Sequence, residues 1–206
     1  MPEPPSMAEI QRRAFFSTLK DGTVELFQGL LLFIAGIGFF NIYSAFLGLF
    51  LIILLRLQWP RISRKIKEQF IYPRLGYVEL RSDHEARLRR YHILLGASIS
   101  ISVVLFFVLV YLNGWNIATT LTYTPIIIGG ALFGRSLYFC IFSGKWNYLI
   151  LGLVSILMVA VFIILPFPMP QDHTILYAWS QAILMTLTGI WKFRRFQQDD
   201  SIVEEL

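Results

Sequence analysis

The sequence predicts an all-α fold, a polytopic membrane helix bundle of six spans in a single transmembrane domain over residues 1–206, with both termini cytoplasmic. Three observations carry that prediction: long apolar runs, cations confined to alternate connecting segments, and aromatic rings at the ends of the runs. Hydrophobic residues make up 56% of the chain and charged residues 15%, against about 45–50% and 25% in soluble domains. The single Cys140 excludes an intramolecular disulfide framework and a thiolate metal cluster.

Apolar runs cover 24–57, 93–112, 118–134, 147–165 and 174–191. The first is too long for one crossing, because a helix over 24–57 extends about 51 Å while the hydrocarbon core is roughly 30 Å thick. Asn41, preceded by Gly36 and Gly38, divides it into spans 24–40 and 42–57 around a tight turn. Each half is short for a crossing, so two spans and a re-entrant hairpin remain alternatives with the same end topology.

With that division, all eighteen Lys and Arg residues fall on one side. Arg12, Arg13 and Lys20 precede the first span, and the 58–92 loop with its edge carries Arg56, Arg61, Arg64, Lys65, Lys67, Arg74, Arg81, Arg87, Arg89 and Arg90. Arg135 and Lys145 flank the fourth and fifth spans, and Lys192, Arg194 and Arg195 follow the sixth. Excess Lys and Arg marks the cytoplasmic face, so the protein is expected in the cell membrane. Trp59, Tyr91, Trp146 and Trp191 then sit at the inner boundary and Tyr111, Trp115 and Tyr177 at the outer one. Gln11-Arg12-Arg13-Ala14-Phe15-Phe16 loosely resembles a twin-arginine export signal, but no small-residue cleavage site follows and the segment is expected to be retained.

The 58–92 loop has its own pattern. Pro60 suits the first position of a short helix in which Ile62, Ile66 and Phe70 recur every four residues while Arg64, Lys65 and Lys67 occupy other faces. That stripe fits either the headgroup region or the protein's own spans. Tyr72-Pro73-Arg74-Leu75-Gly76-Tyr77-Val78 predicts a small β-hairpin or turn. Ser82 and Glu85 form a capping box that starts the third helix near Asp83, with Arg87, Arg89 and Arg90 ringing its entrance to the membrane. Beyond the sixth span, 196–206 forms an acidic tail.

The Tyr-Pro-Arg-x-Gly-Tyr-Val string, set between a glycine-rich hairpin of spans and a later membrane block, resembles a group of uncharacterised prokaryotic multi-pass membrane proteins. Asp21-Gly22 followed by Gly29 resembles the same group more loosely. The resemblance implies the class, and no activity or catalytic residue.

Catalytic motifs are missing: the chain has no H-E-x-x-H, G-x-S-x-G or glycine-rich phosphate loop, and its three histidines divide between the two sides. No cofactor, metal or nucleic acid is expected. Thr120, Thr122 and Thr124 precede Pro125, which removes a backbone donor and frees carbonyls to line a polar path. Gln181 of the sixth span is a candidate for the same path, though such a group more often serves as an interhelical hydrogen-bond partner. Small-residue pairs Ser44 and Gly48, Gly96 and Ser100, and Gly130 and Gly134 suit close helix packing. Glu25 and Arg135, the charges nearest the membrane interior, lie within a turn of a boundary and argue against a proton-coupled pump.

The expected function is therefore a non-enzymatic module that assembles with itself or another membrane protein. Arg64, Lys65, Lys67, Arg74, Arg87, Arg89 and Arg90 would contact anionic lipid or a partner. The alternative is a small channel or permease around the fourth and sixth spans. A lipid-modifying enzyme has headgroup-binding cations but no nucleophile and base.

Overall fold

The computed structural model describes residues 22–70, 84–143 and 146–198. All of its regular structure there is helical: α1 (Thr23–Gly38), α2 (Ile42–Phe70), α3 (His84–Leu112), α4 (Ile117–Tyr123), α5 (Pro125–Ser143), α6 (Trp146–Ile164) and α7 (Pro170–Gln198). Four segments are long and apolar enough to cross a membrane, namely Tyr43–Ile66, Ile93–Leu112, Ile117–Ile141 and Trp146–Ile164. The protein is a membrane protein by that criterion. Of the two remaining expected spans, α1 is a shorter apolar helix of 16 residues. The other, α7, carries polar side chains that it buries inside the bundle, among them Thr174 and Gln181.

Local chemistry explains the ends. Asn41 and Ser44 cap the start of α2 reciprocally, since the Asn41 amide donates to Ser44 Oγ and the Ser44 amide to Asn41 Oδ1, both at 2.9 Å. Asn116 caps α4 by accepting from the Thr119 amide at 2.8 Å. Pro170 occupies the first position of α7, and Asp172 Oδ2 accepts from the Met169 amide at 3.2 Å.

Three sequence expectations change. Pro60 opens no new helix, because α2 continues through it to Phe70. Its ring removes the donor for the Arg56 carbonyl, and both residues are exposed at that turn, where solvent or headgroups can serve that carbonyl. The fourth segment runs through Arg135 to Ser143, so the 135–146 loop contracts to the short connection before Trp146. Arg135 stays within the helix with its guanidinium 5.0 Å from the Phe139 ring. Tyr177 is fully buried and belongs to no aromatic belt. Gly129 makes room for it, and its hydroxyl donates to the Ser155 carbonyl at 3.3 Å.

α7 is the hub. It packs along α1, and also against α4, α5 and α6; α5 lies between α6 and α3, while α2 leans mainly on α1. α1 and α2, α3 and α5, and α5 and α6 run antiparallel: Gly48 lies by Ile34 while Gly38 lies by Ala45, Gly130 lies by Ser102 while Gly134 lies by Ser98, and Gly152 lies by Ser136 while Tyr148 meets Phe139. Core clusters form around Leu32, Leu132, Ala182 and Met185 and around Ile126, Val159 and Tyr177. One end of the bundle gathers Glu25, Trp59, Phe139, Tyr148 and Lys192, through the Phe27–Trp59 stack (4.2 Å), the Phe139–Tyr148 pair (5.5 Å) and the contacts of Lys192. That is the basic end of the molecule.

The α1–α7 seam follows a glycine heptad. Gly22, Gly29 and Gly36 each face α7, and a Cβ would press Gly22 against the Gly189 carbonyl, Gly29 against Thr186 Oγ1, and Gly36 against the Trp179 indole. Small residues let the backbones approach, which is how helices associate where lipid supplies no hydrophobic drive. Gly22 also has φ of 73°, a left-handed conformation open to glycine.

Candidate functional site

The polar groups of greatest interest lie around α7 at three levels. Near the end opposite the cations, Thr174 is fully buried and its hydroxyl donates to the Leu121 carbonyl at 2.6 Å. Leu121 stands four residues before Pro125, so its carbonyl lacks a helical donor. Sequence reasoning offered that carbonyl to a polar path, whereas in the structure α7 takes it. The threonine hydroxyls are likewise occupied locally: Thr120 donates to the Asn116 carbonyl (2.8 Å), Thr122 to that of Ala118 (3.0 Å) and Thr124 to that of Thr120 (2.8 Å).

At the middle level Gln181 is fully buried. Ser155 Oγ lies 3.0 Å from Gln181 Oε1 and 3.1 Å from the Leu151 carbonyl, and Gln181 Nε2 points at Met158 Sδ at 3.1 Å. With Tyr177 on the Ser155 carbonyl, these groups tie α6 to α7. The geometry is that of interhelical hydrogen bonds.

At the basic end, Lys192 Nζ donates to Glu25 Oε1 at 2.6 Å and to the Tyr148 hydroxyl at 3.0 Å. The Glu25 and Lys192 side chains are 4% and 18% exposed, so a buried carboxylate meets a largely buried ammonium across α1 and α7. Glu25 Oε2 and Gln28 Oε1 are buried acceptors without a protein donor. The sequence placed Glu25 in a first turn and Lys192 beyond a span, and gave no signal that they meet.

The packing pairs divide. Gly48 lies against α1, where a Cβ would come 3.2 Å from Gly38 Cα. Ser44 serves as the capping partner of Asn41. Gly130 and Gly134 pack against Ser102 and Ser98, and Ser98 Oγ donates to the Gly130 carbonyl. Gly96 and Ser100 pack against none of the described helices, since both are exposed and no atom of the described residues stands within 4 Å of a Cβ on Gly96. Positions 94, 98 and 102 form the facing stripe of α3, and a shift of two residues turns a side chain about 200° round a helix.

Of the expected lipid contacts, Arg64 is exposed yet pairs with Glu68 at 2.7 Å, and Lys65 is exposed. Arg74, the 72–78 hairpin and Ser82 lie outside the described residues, as do the side chains of Lys67, Arg87, Arg89 and Arg90 and all of the tail past Gln198. Among the described residues, no group of three His, Cys, Asp or Glu side chains is placed to hold a metal. No protein-family model, curated protein or solved structure matches the chain.

Proposed function

We propose that the chain is a six-span membrane module, with both termini cytoplasmic, that assembles with itself or a partner and presents its basic 58–92 region to anionic lipid or protein. The observation that carries this reading is the joint one of sequence and fold. Antiparallel helices bring Trp59, Tyr148 and Lys192 to the same end; the described Arg61, Arg64, Lys65, Arg194 and Arg195 follow Trp59 or Lys192 in the chain, and the sequence confines the other cations to the same alternate segments. Each cation near an anionic leaflet adds about 1 kcal/mol of attraction. The continuous α2 supports the reading further, because it projects Arg61, Arg64 and Lys65 beyond Trp59 on one rod.

On this reading α7 crosses although it is the most polar of the long helices, since its polar side chains face other helices. The α1–α2 hairpin reaches deep into the bilayer, with the polar atoms of its Asn41–Ser44 turn bonded to one another. The experiment is binding of the purified full chain to phosphatidylglycerol-containing vesicles. An Arg87→Gln, Arg89→Gln, Arg90→Gln variant is expected to lose affinity while keeping its helical content, and affinity equal to wild type overturns the lipid form of the proposal.

A further inference from the structure

Along the side of the bundle, α1 and α7 leave an apolar groove of about 320 Å³ between them, lined by Leu26, Gly29, Leu30, Phe33, Ile183 and Leu187. Its rims, Leu30, Phe33, Ile183 and Leu187, are all exposed, so it opens sideways to whatever surrounds the bundle. Gly29 sets the depth, because a side chain there would run into Thr186. One end is closed by Trp179, which stacks on Phe33 at 5.8 Å and donates its indole N–H to the Phe33 carbonyl at 3.3 Å.

At the other end the chemistry changes. Ile183, Leu187, Ile190 and Arg194 follow one another at spacings of four, three and four, a single stripe on α7. It passes from apolar groove to an exposed guanidinium at the basic end. From Trp179 to Arg194 is about 22 Å at 1.5 Å per residue, and half of a bilayer measured through its headgroups is about 20–22 Å. The surface has the length and polarity of one lipid in one leaflet.

We infer that the α1–α7 groove is a binding site for an anionic phospholipid of the basic-side leaflet, one acyl chain lying between Leu30 and Ile183 and the phosphate meeting Arg194. The site rests on the proposed orientation only for the name of the leaflet. Charge complementarity selects the headgroup, and the closed end at Trp179 limits how far a chain rises.

The test uses the full chain in phosphatidylcholine nanodiscs doped with phosphatidylglycerol carrying a photoreactive group midway along one acyl chain. Crosslinks are expected to concentrate on residues 26–33 and 183–187, several-fold above the exposed Phe46 and Phe50 of α2, which sample ordinary surrounding lipid. Ile183→Trp, a change at an exposed position that fills the groove, should abolish that excess, while Leu49→Trp should not. Arg194→Gln should lower it about fivefold, the factor for one interfacial cation. Labelling no greater than at Phe46 and Phe50 overturns the site. An excess that is indifferent to Arg194→Gln, or to the same photoreactive chain on phosphatidylcholine, overturns the anionic headgroup assignment. The outcomes separate from the loop reading, because the triple arginine variant keeps its groove labelling if the loop alone fails.

Discussion

The hydroxyl of Thr174 takes the carbonyl that Pro125 leaves without a donor at Leu121, so one interhelical hydrogen bond repairs a break in another helix. A helix interrupted by proline within an apolar segment long enough to cross a membrane needs such a repair, since lipid offers no donor. Thr174→Val keeps the shape and removes the donor; it should lower unfolding stability by about 0.6–2 kcal/mol, read from denaturation in mixed micelles. In a Pro125→Ala background the Leu121 carbonyl regains a helical N–H, and the cost of Thr174→Val should shrink. Equal costs in both backgrounds would show that the two residues are not coupled.

The α1–α7 seam makes a contrast between glycines. Gly29→Ala puts a methyl group against Thr186 Oγ1 and within 3.0 Å of the Ala182 carbonyl, so the helices must separate. Loss of about 1–3 kcal/mol is expected, the usual cost of overpacking. Gly96→Ala meets nothing and should be neutral or stabilising by up to about 1 kcal/mol. A heat-unfolding series of the two variants decides the matter, and a destabilised Gly96→Ala would mean that α3 uses its outer face after all, against another chain.

Glu25 and Lys192 predict an asymmetry. Lys192→Met leaves the buried Glu25 carboxylate without its ammonium partner and should cost about 3–5 kcal/mol. Replacing both, as Glu25→Leu with Lys192→Met, removes the uncompensated charge and should recover most of that loss. If the double variant is no better than the single one, the pair is held for packing and not for charge.

Thr122 distinguishes a dry helix from a lined path. With Cys140→Ser as background, Thr122→Cys is expected to stay unreactive toward membrane-impermeant thiol reagents, whereas cysteine at the exposed Trp115 should react. Rapid modification at position 122 would favour the permease alternative over the module.

Much of the fold could be read from residue spacing. The apolar runs ending at Leu112 and Leu165 stop within a residue of the helix ends, and Asn41 marks the turn between α1 and α2. What could not be read depends on phase or on distance in sequence. α3 carries small residues at both 96/100 and 98/102, and composition alone does not say which stripe faces α5. Pro60 breaks a helix by local rule, yet its flanks favour helix strongly enough to carry it through. The Thr174–Leu121 and Glu25–Lys192 contacts join residues from distant parts of the chain, and no local pattern announces them. The heptad of Gly22, Gly29 and Gly36 is a signal in the sequence, since a repeat of seven keeps one face of a helix, but Gly36 also stands with Gly38 as punctuation of the hairpin, which hides the repeat.

Because α7 is the hub and follows all of its partners in the chain, assembly has an order imposed on it. The glycine face of α1 and the carboxylate of Glu25 leave the ribosome about 140–170 residues before their partners on α7. At 5–20 residues per second that is on the order of ten seconds. During that interval the first hairpin sits in the translocon or the lipid with its seam unfilled, and only the closing helix locks it in place. Nascent chains stopped short of residue 170 should therefore be the ones that quality-control proteases find, and α7 acts as the clasp for α1.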